Sequence, residues 1–289
     1  MKLSIFSHCA LDTISIEGNS YEQIGGAASY CGLMAREFKF NVNLFTKFGP
    51  DFPKQYLTKH KINLINSESK KYTTKFSISI SGSDRTLKLE NECDPIEYSN
   101  LDADGHIVSP IFHEILDDVF KKIKSDSNFL FVDPQGFLRQ KDSNNNIILK
   151  KTDLDLSNVN AIKINPEEGQ NIVSGSHDEM MLALQKKGIE YVLLTNKTDV
   201  SLLVKNRVYS LKLPNKNIHD TTGIGDIFCS AFTCTMLKEK DFLWALCFAA
   251  GSAQAALESN AVGLQKIPKK GMVENNASYF YNLVDFRDL

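Results

Sequence analysis

The segment Asp220-Thr221-Thr222-Gly223-Ile224-Gly225-Asp226, followed at once by the apolar-periodic run Ile227 to Leu237, constrains this chain more than any other feature. Gly223 and Gly225 have no Cβ, so the backbone turns tightly and directs successive N–H groups at one point. The first N–H groups of the helix that follows have no intrahelical partner, and the positive end of its dipole lies there. Such a loop attracts a phosphate, or a phosphoryl group gathering charge in transit. Asp226 at the helix start is placed to accept a proton from an attacking hydroxyl. Gly-x-Gly between a strand and a helix is also a common tight connection, with Asp as an ordinary first-turn residue, so the surroundings have to decide.

Those surroundings alternate. Leu3 to Ser7 reads as a strand, Gly25-Gly26 opens a helix through Phe38, and Val42 to Thr46 returns to strand. After residue 100 the rhythm resumes, with strands at His106–Val108, Phe129–Val132, Ala161–Ile164 and Tyr191–Leu194. Ser109 with Pro110 predicts an N-cap and first turn for a helix to Lys124, and Ser176-x-x-Glu179 predicts a capping box. Val200–Val204 and Val208–Leu211 read as a hairpin. The expected architecture is α/β, a doubly wound, mostly parallel sheet with helices on both faces. The stretches 13–22 and 72–99 break the pattern. Phe76, Ile78 and Ile80 alternate with polar residues, Ser81 to Asp84 turns, and Leu87 and Leu89 alternate again. They predict a small antiparallel β lid inserted into one domain of residues 1–289, its apolar face covering a ligand or pairing with a second subunit as a homodimer.

Composition excludes several classes. The 33 basic and 35 acidic residues leave a net charge of −2, and no basic block offers nucleic acid a footprint. The six cysteines are scattered without metal-ligand spacing and read as buried thiols of a reducing compartment. Phe242 to Leu257, behind Asp241, falls short of the roughly 20 residues of a membrane span and reads as a buried helix. No signal-like profile opens the sequence, so a soluble, cytoplasmic protein is expected.

Ligands collect at the carboxyl ends of strands in such sheets. Asp12, Gly25-Gly26, Asp133, Asn165, Glu168 and Thr195 all fall there, although each alone is an ordinary turn or cap residue. Asp220-Thr221-Thr222-Gly223-Ile224-Gly225-Asp226 with Phe228, Ser230, Ala231 and Phe232 resembles the C-terminal signature of the ribokinase/PfkB family of carbohydrate and nucleoside kinases, and the resemblance extends over nearly the whole chain. It implies Asp226 as catalytic base and the amides of Gly223, Ile224 and Gly225 as an anion hole. It implies acceptor contacts from Asp12 and from the backbone of Gly25 and Gly26. Lys47-Phe48-Gly49-x-Asp51 resembles a further family segment. Asn165-Pro166-Glu167-Glu168 resembles the motif in which Glu168, with Asn165, places Mg2+ through water. ATP is the implied donor, with Thr195, Lys197 and Asn260 as nucleotide contacts.

The departures are specific. Ile224 stands where the family usually has Ala, and Tyr30 where many sugar kinases have Asn. Thr195-Asn196-Lys197-Thr198-Asp199-Val200 lacks both glycines of the family's nucleotide loop. Gly25 to Tyr30, Arg85 to Ile96 and Val132 to Arg139 together resemble an archaeal and plant branch that includes myo-inositol kinases. Arg139 there would anchor an acidic or phosphorylated acceptor, or serve as a structural ion-pair residue. Asp220-Thr221 could hold a monovalent cation, or simply form a turn. The expected activity is ATP- and Mg2+-dependent phosphorylation of a hydroxyl on a small polyol, sugar or nucleoside. The alternatives are a non-catalytic polyol or nucleotide sensor, favoured by the missing glycines, and a dimeric scaffold built through the lid.

Overall fold

The computed structural model describes residues 1–16, 18–81, 84–214, 221–259 and 261–289. In chain order the elements are β1 (Lys2–Phe6), β2 (Ala10–Ile16), β3 (Asn19–Gly25), α1 (Ala27–Glu37), β4 (Asn41–Phe45), α2 (Gln55–Lys59), β5 (Asn63–Ile65), β6 (Thr74–Ser81), β7 (Asp84–Asn91), β8 (Gly105–Val108), α3 (Asp117–Asp126) and β9 (Leu130–Val132). They continue with α4 (Gln135–Leu138), β10 (Arg139–Lys141), β11 (Ile147–Leu149), β12 (Ala161–Ile164), α5 (Pro166–Ile172), α6 (His177–Lys186), β13 (Tyr191–Asn196), β14 (Asp199–Val204) and β15 (Arg207–Lys212). The chain closes with α7 (Ile224–Glu239), α8 (Phe242–Leu257), a 3-10 turn (Gly263–Lys266), α9 (Lys270–Tyr281) and β16 (Asp285–Asp288).

The main sheet runs β16-β15-β14-β13-β12-β9-β8-β1-β4-β5. From β5 to β13 every pairing is parallel, and the last three strands are antiparallel. The winding reverses at β1, which puts a crevice at its carboxyl end. Strand alternation divides the apolar residues between two cores. Leu3, Ile5, Ile107, Phe131, Ala161 and Leu193 pack with α1, α7 and α8 on one face. Val108, Leu130, Val132, Ile162, Ile164 and Val192 pack with α3 and α6 on the other. Burial on both faces explains why these strands read as continuous apolar runs. The doubly wound expectation therefore holds, although β16 carried no sequence signal.

The small sheet has the order β3-β2-β6-β7: the expected antiparallel hairpin forms as β6–β7, β2 and β3 also pair antiparallel, and the two pairs join through a parallel β2–β6 ladder. Period-two alternation identifies a strand and its faces but not its direction. Ile14, Phe76, Ile78 and Leu89 turn inward to join Ala27, Ile111 and Phe112 in a third cluster. Thr13, Ser15, Ser77 and Ser79 occupy the opposite face by register. The apolar side of the lid is thus packed on the core, and the outer side offers hydroxyls to water. The turn read at Ser81 to Asp84 falls in part outside the described residues.

The helix expected from Pro110 to Lys124 forms only in its second half. Residues 109–116 form a loop, and α3 starts at Asp117 behind Leu116. The buried carboxylate of Glu114 accepts from the N–H groups of Ile111 and Phe112 at 2.7 Å each and from that of His8 at 2.9 Å. Three charge-assisted bonds from two segments outweigh one helical turn. Ser109 is left to face the site. The capping box at Ser176 and Glu179 forms as expected.

Candidate active site

The Gly223 loop delivers Asp226 as the geometry of α7 requires. Gly223 is the N-cap at φ 76, a left-handed conformation that disfavours any side chain. A Cβ there would also lie 2.5 Å from three ring carbons of Tyr30. Asp226 is 9% exposed, and its Oδ1 lies 3.5 Å from the Ser109 hydroxyl, which donates to it. Burial, then the negative charge of Asp133, push its carboxyl up to about 7, against the opposing pull of Lys163, Arg139 and Ser109. A carboxylate so tuned matches the requirement for a base near neutral pH.

Behind Asp226 lies a buried charge cluster. Lys163 projects from β12 and donates to Asp133 Oδ2 at 2.6 Å, and Glu168 Oε2 is 3.9 Å away. The pair is 8% and 1% exposed at its side chains. Burial opposes the ammonium, but Asp133 and Glu168 together raise Lys163 well above the ordinary lysine range. Glu168 is raised by burial, with Lys163 working against the shift. The Cys229 thiol rests 3.7 Å from Asp133 Oδ2.

Asp226, Asp133 and Lys163 face a cavity of about 160 Å³ beneath the lid. Asp12, Gly26, Tyr30, Arg139, Gly223, Gly225 and Asp226 line it, with Phe76, Ile78 and Leu87 as the lid wall. Asp12 is 4% exposed, and a Cβ on Gly25 would sit 1.9 Å from its Oδ2. Gly25 therefore leaves the space that the carboxylate occupies. Gly25→Ala is expected to displace Asp12 and raise the acceptor KM about tenfold to hundredfold, as loss of one or two charged hydrogen bonds would. Steady-state kinetics against Asp12→Ala checks this, since the two variants should match. Arg139 donates to Ile111 O at 2.9 Å and Gln135 Oε1 at 2.8 Å, with its guanidinium 5.9 Å from the Phe76 ring centroid.

Seven of the sequence-derived candidates, Asp12, Gly26, Tyr30, Arg139, Gly223, Gly225 and Asp226, are thus gathered around one crevice, which Gly25, Ile224 and Glu168 do not line. Asn165 has a local role, because its side chain accepts from Glu168 N at 2.8 Å while Glu168 returns the bond to Asn165 N at 2.9 Å, a complete capping box. Thr195 and Lys197 do not line the cavity. Thr195 pairs with Val200 in the β13–β14 ladder, and Lys197 is an exposed turn residue at φ 55. Asn260 and Asp220 lie outside the described residues. The sequence reading missed Lys163 and Ser109 as site residues. A lysine inside the buried run Ala161-Ile162-Lys163-Ile164 was a usable signal, because an unpaired charge is not tolerated there.

Among the described residues, no group of three His, Cys, Asp or Glu side chains is arranged to hold a metal ion directly. No helix there is long and apolar enough to cross a membrane. A family model for pfkB carbohydrate kinases matches residues 23–270. The chain belongs to that family. This pfkB kinase also shares its fold with solved structures of low identity. A pyrophosphate-dependent kinase in the ribokinase family, complexed with a pyrophosphate analog and myo-inositol, superposes with a TM-score of 0.80 at 17% identity over 92% of this chain and 99% of that one. Arabidopsis thaliana ribokinase with ribose and ATP gives 0.75 at 14% identity, over 96% and 98%. The Methanocaldococcus jannaschii nucleoside kinase gives 0.74 at 16%, over 96% and 99%. Comparison with curated protein sequences returns no match.

Proposed function

We propose that this pfkB kinase transfers the terminal phosphoryl group of ATP to a hydroxyl of a small polyol or sugar. The observation that carries the reading is Asp226, a carboxylate raised to about 7 at the start of α7, facing the same cavity as Asp12. Asp12 accepts from acceptor hydroxyls, and the backbone of Gly25 and Gly26 fits closely against the acceptor. The reacting hydroxyl gives its proton to Asp226 as its oxygen attacks phosphorus in line and ADP departs. The amides of Gly223, Ile224 and Gly225 take up charge on the moving group. The lid excludes water and so limits ATP hydrolysis.

Asp12 and Arg139, facing the apolar lid wall of Phe76, Ile78 and Leu87 across the cavity, support a small acceptor rich in hydroxyls. Mg2+ fits the chemistry of the site. Glu168 is a hard oxygen donor beside the crevice, and the lack of a three-ligand cage among the described residues suits an ion carried mostly by phosphate and water. When bound, it would neutralise phosphate charge. Six free, buried cysteines support a reducing, cytoplasmic setting.

One observation favours pyrophosphate as donor instead. Thr195 to Asp199 closes a glycine-free hairpin whose backbone is engaged in the ladder, leaving little for a nucleotide to lie against. Lys163 and Arg139 beside the cavity suit a compact, highly charged donor. The test is product release with Mg2+ and either ATP or pyrophosphate over myo-inositol, ribose, fructose, 2-keto-3-deoxygluconate, cytidine and adenosine. Acceptor-dependent turnover with a cyclitol or monosaccharide is expected. Turnover with the nucleosides alone would overturn the acceptor class, and turnover with pyrophosphate alone would replace ATP. Silence with both donors would remove the kinase mechanism.

A further inference from the structure

Ser109-Pro110 has the local form of a helix start, yet α3 begins only at Asp117. In a helix capped by Ser109, the serine oxygen would accept from the second or third helical N–H group, those of Ile111 and Phe112. Both groups are taken instead by the carboxylate of Glu114, one on each oxygen. Glu114 is 3% exposed, and among the described residues it bonds N–H groups alone and pairs with no cation. His113 beside it is held in the left-handed region at φ 53. A serine cap would serve the same N–H groups without burying a charge or straining a residue. Local stability alone therefore does not account for this loop.

What the arrangement releases is the Ser109 hydroxyl. Ser109 is fully buried, and its own N–H donates to Phe6 O at 3.1 Å. Its hydroxyl donates to Asp226 Oδ1 at 3.5 Å. As a cap the same oxygen would turn toward the backbone of Ile111 and Phe112. A hydroxyl proton aimed at one carboxylate oxygen restrains the rotation of that carboxylate and favours its ionised form.

We propose that Glu114 is a positioning residue for the catalytic base: by taking the N–H groups of Ile111 and Phe112 in place of Ser109, it leaves the Ser109 hydroxyl directed at Asp226. The inference rests on the assignment of Asp226 as the base. It ties a loop of the acceptor wall, where Ile111 lines the cavity, to the step of proton transfer.

The experiment measures kcat/KM against pH for the native chain, Ser109→Ala, Glu114→Gln and the double variant, with the donor and acceptor that the native chain turns over. The other charged or titratable groups around Asp226 are Asp133 behind β9, Lys163 on β12, Arg139 on β10, Cys31 on α1 and Cys229 on α7, and all four proteins keep them. Arg139 also donates to Ile111 O, so Ser109→Ala isolates the hydroxyl while Glu114→Gln moves the whole loop. Ser109→Ala is expected to raise the midpoint by about half to one pH unit, the loss of one long hydrogen bond to the ionised form. Glu114→Gln offers one acceptor oxygen where two are used, and should raise the midpoint at least as far. The double variant should shift no further than Glu114→Gln alone, because the hydroxyl has by then left Asp226. A midpoint at or below the native one in either single variant would overturn the proposal, and so would a double variant whose shift is the sum of the two. A glutamate that only stabilises the loop would lower the melting temperature and leave the midpoint in place. Should Glu114→Gln not fold, Glu114→Asp keeps the charge on a shorter stem, loosens the same two bonds and is read in the same way. Native activity in Asp226→Asn would remove the base assignment and this inference with it. An inactive Asp226→Asn beside unmoved midpoints sinks the inference alone.

Discussion

Asp226→Asn is expected to lower kcat by about three orders of magnitude with little change in acceptor KM, because the amide keeps the shape of the carboxyl but cannot accept a proton. In the native enzyme, kcat/KM should rise with pH through a midpoint close to 7 and level off above it, since the ionised carboxylate is the working form. The limb should vanish from the residual activity of the variant. Stability should move the other way. A carboxyl raised in the folded state holds its proton more firmly than in the unfolded chain, so its favourable contribution is complete below the unfolded value of about 4 and is lost as pH rises through about 7. At pH 8, Asp226→Asn should therefore melt a few degrees higher than the native protein. Kinetics from pH 5.5 to 9 and thermal scans at pH 5 and 8 check both statements. A variant keeping a tenth of native kcat would overturn the base assignment.

Breaking the Lys163–Asp133 pair should produce the largest loss of stability. Lys163→Met leaves Asp133 and Glu168 buried without their cation, and removing one member of such a pair costs about 3–5 kcal/mol. Asp133→Asn leaves the ammonium only the more distant carboxylate of Glu168 and should cost somewhat less. The double variant should recover part of the loss, because Asp133 is then no longer a bare buried charge while Glu168 still lacks its cation. Denaturant unfolding of the four proteins tests this, and additive losses in the double variant would refute it. The same substitutions should move the pH–rate midpoint in opposite directions. Without Lys163 the Asp226 carboxyl loses a neighbouring cation and titrates higher; without Asp133 it loses a neighbouring anion and titrates lower.

Much of this was legible in the sequence, for identifiable reasons. The strands of the main sheet announced themselves because burial on both faces forces unbroken apolar runs. The Gly223 to Asp226 loop was readable because its conformation is set by adjacent glycines and the helix they open. What stayed hidden depends on partners far away in the chain. Ser109-Pro110 has the local form of a helix start, yet Glu114 and His8 hold that segment as a loop. The parallel pairing of β2 with β6 is a matter of topology. Asn165 and Glu168 have the local form of both a metal motif and a helix cap, and the cap is formed while Glu168 still reaches toward Lys163.

The bonds that His8 makes bear on how this enzyme breathes. Its backbone is tied to Glu114, while its ring bonds Thr74 at the foot of β6 and the carbonyl of Asp94, each at 2.9 Å. One imidazole thus bolts the base of the small sheet to the carboxyl end of β1. A sheet rooted at its base does not swing like a door. Admission of substrate has to come from flexing of the far ends of its strands, so amide exchange should be fast at their tips and slow at Thr74.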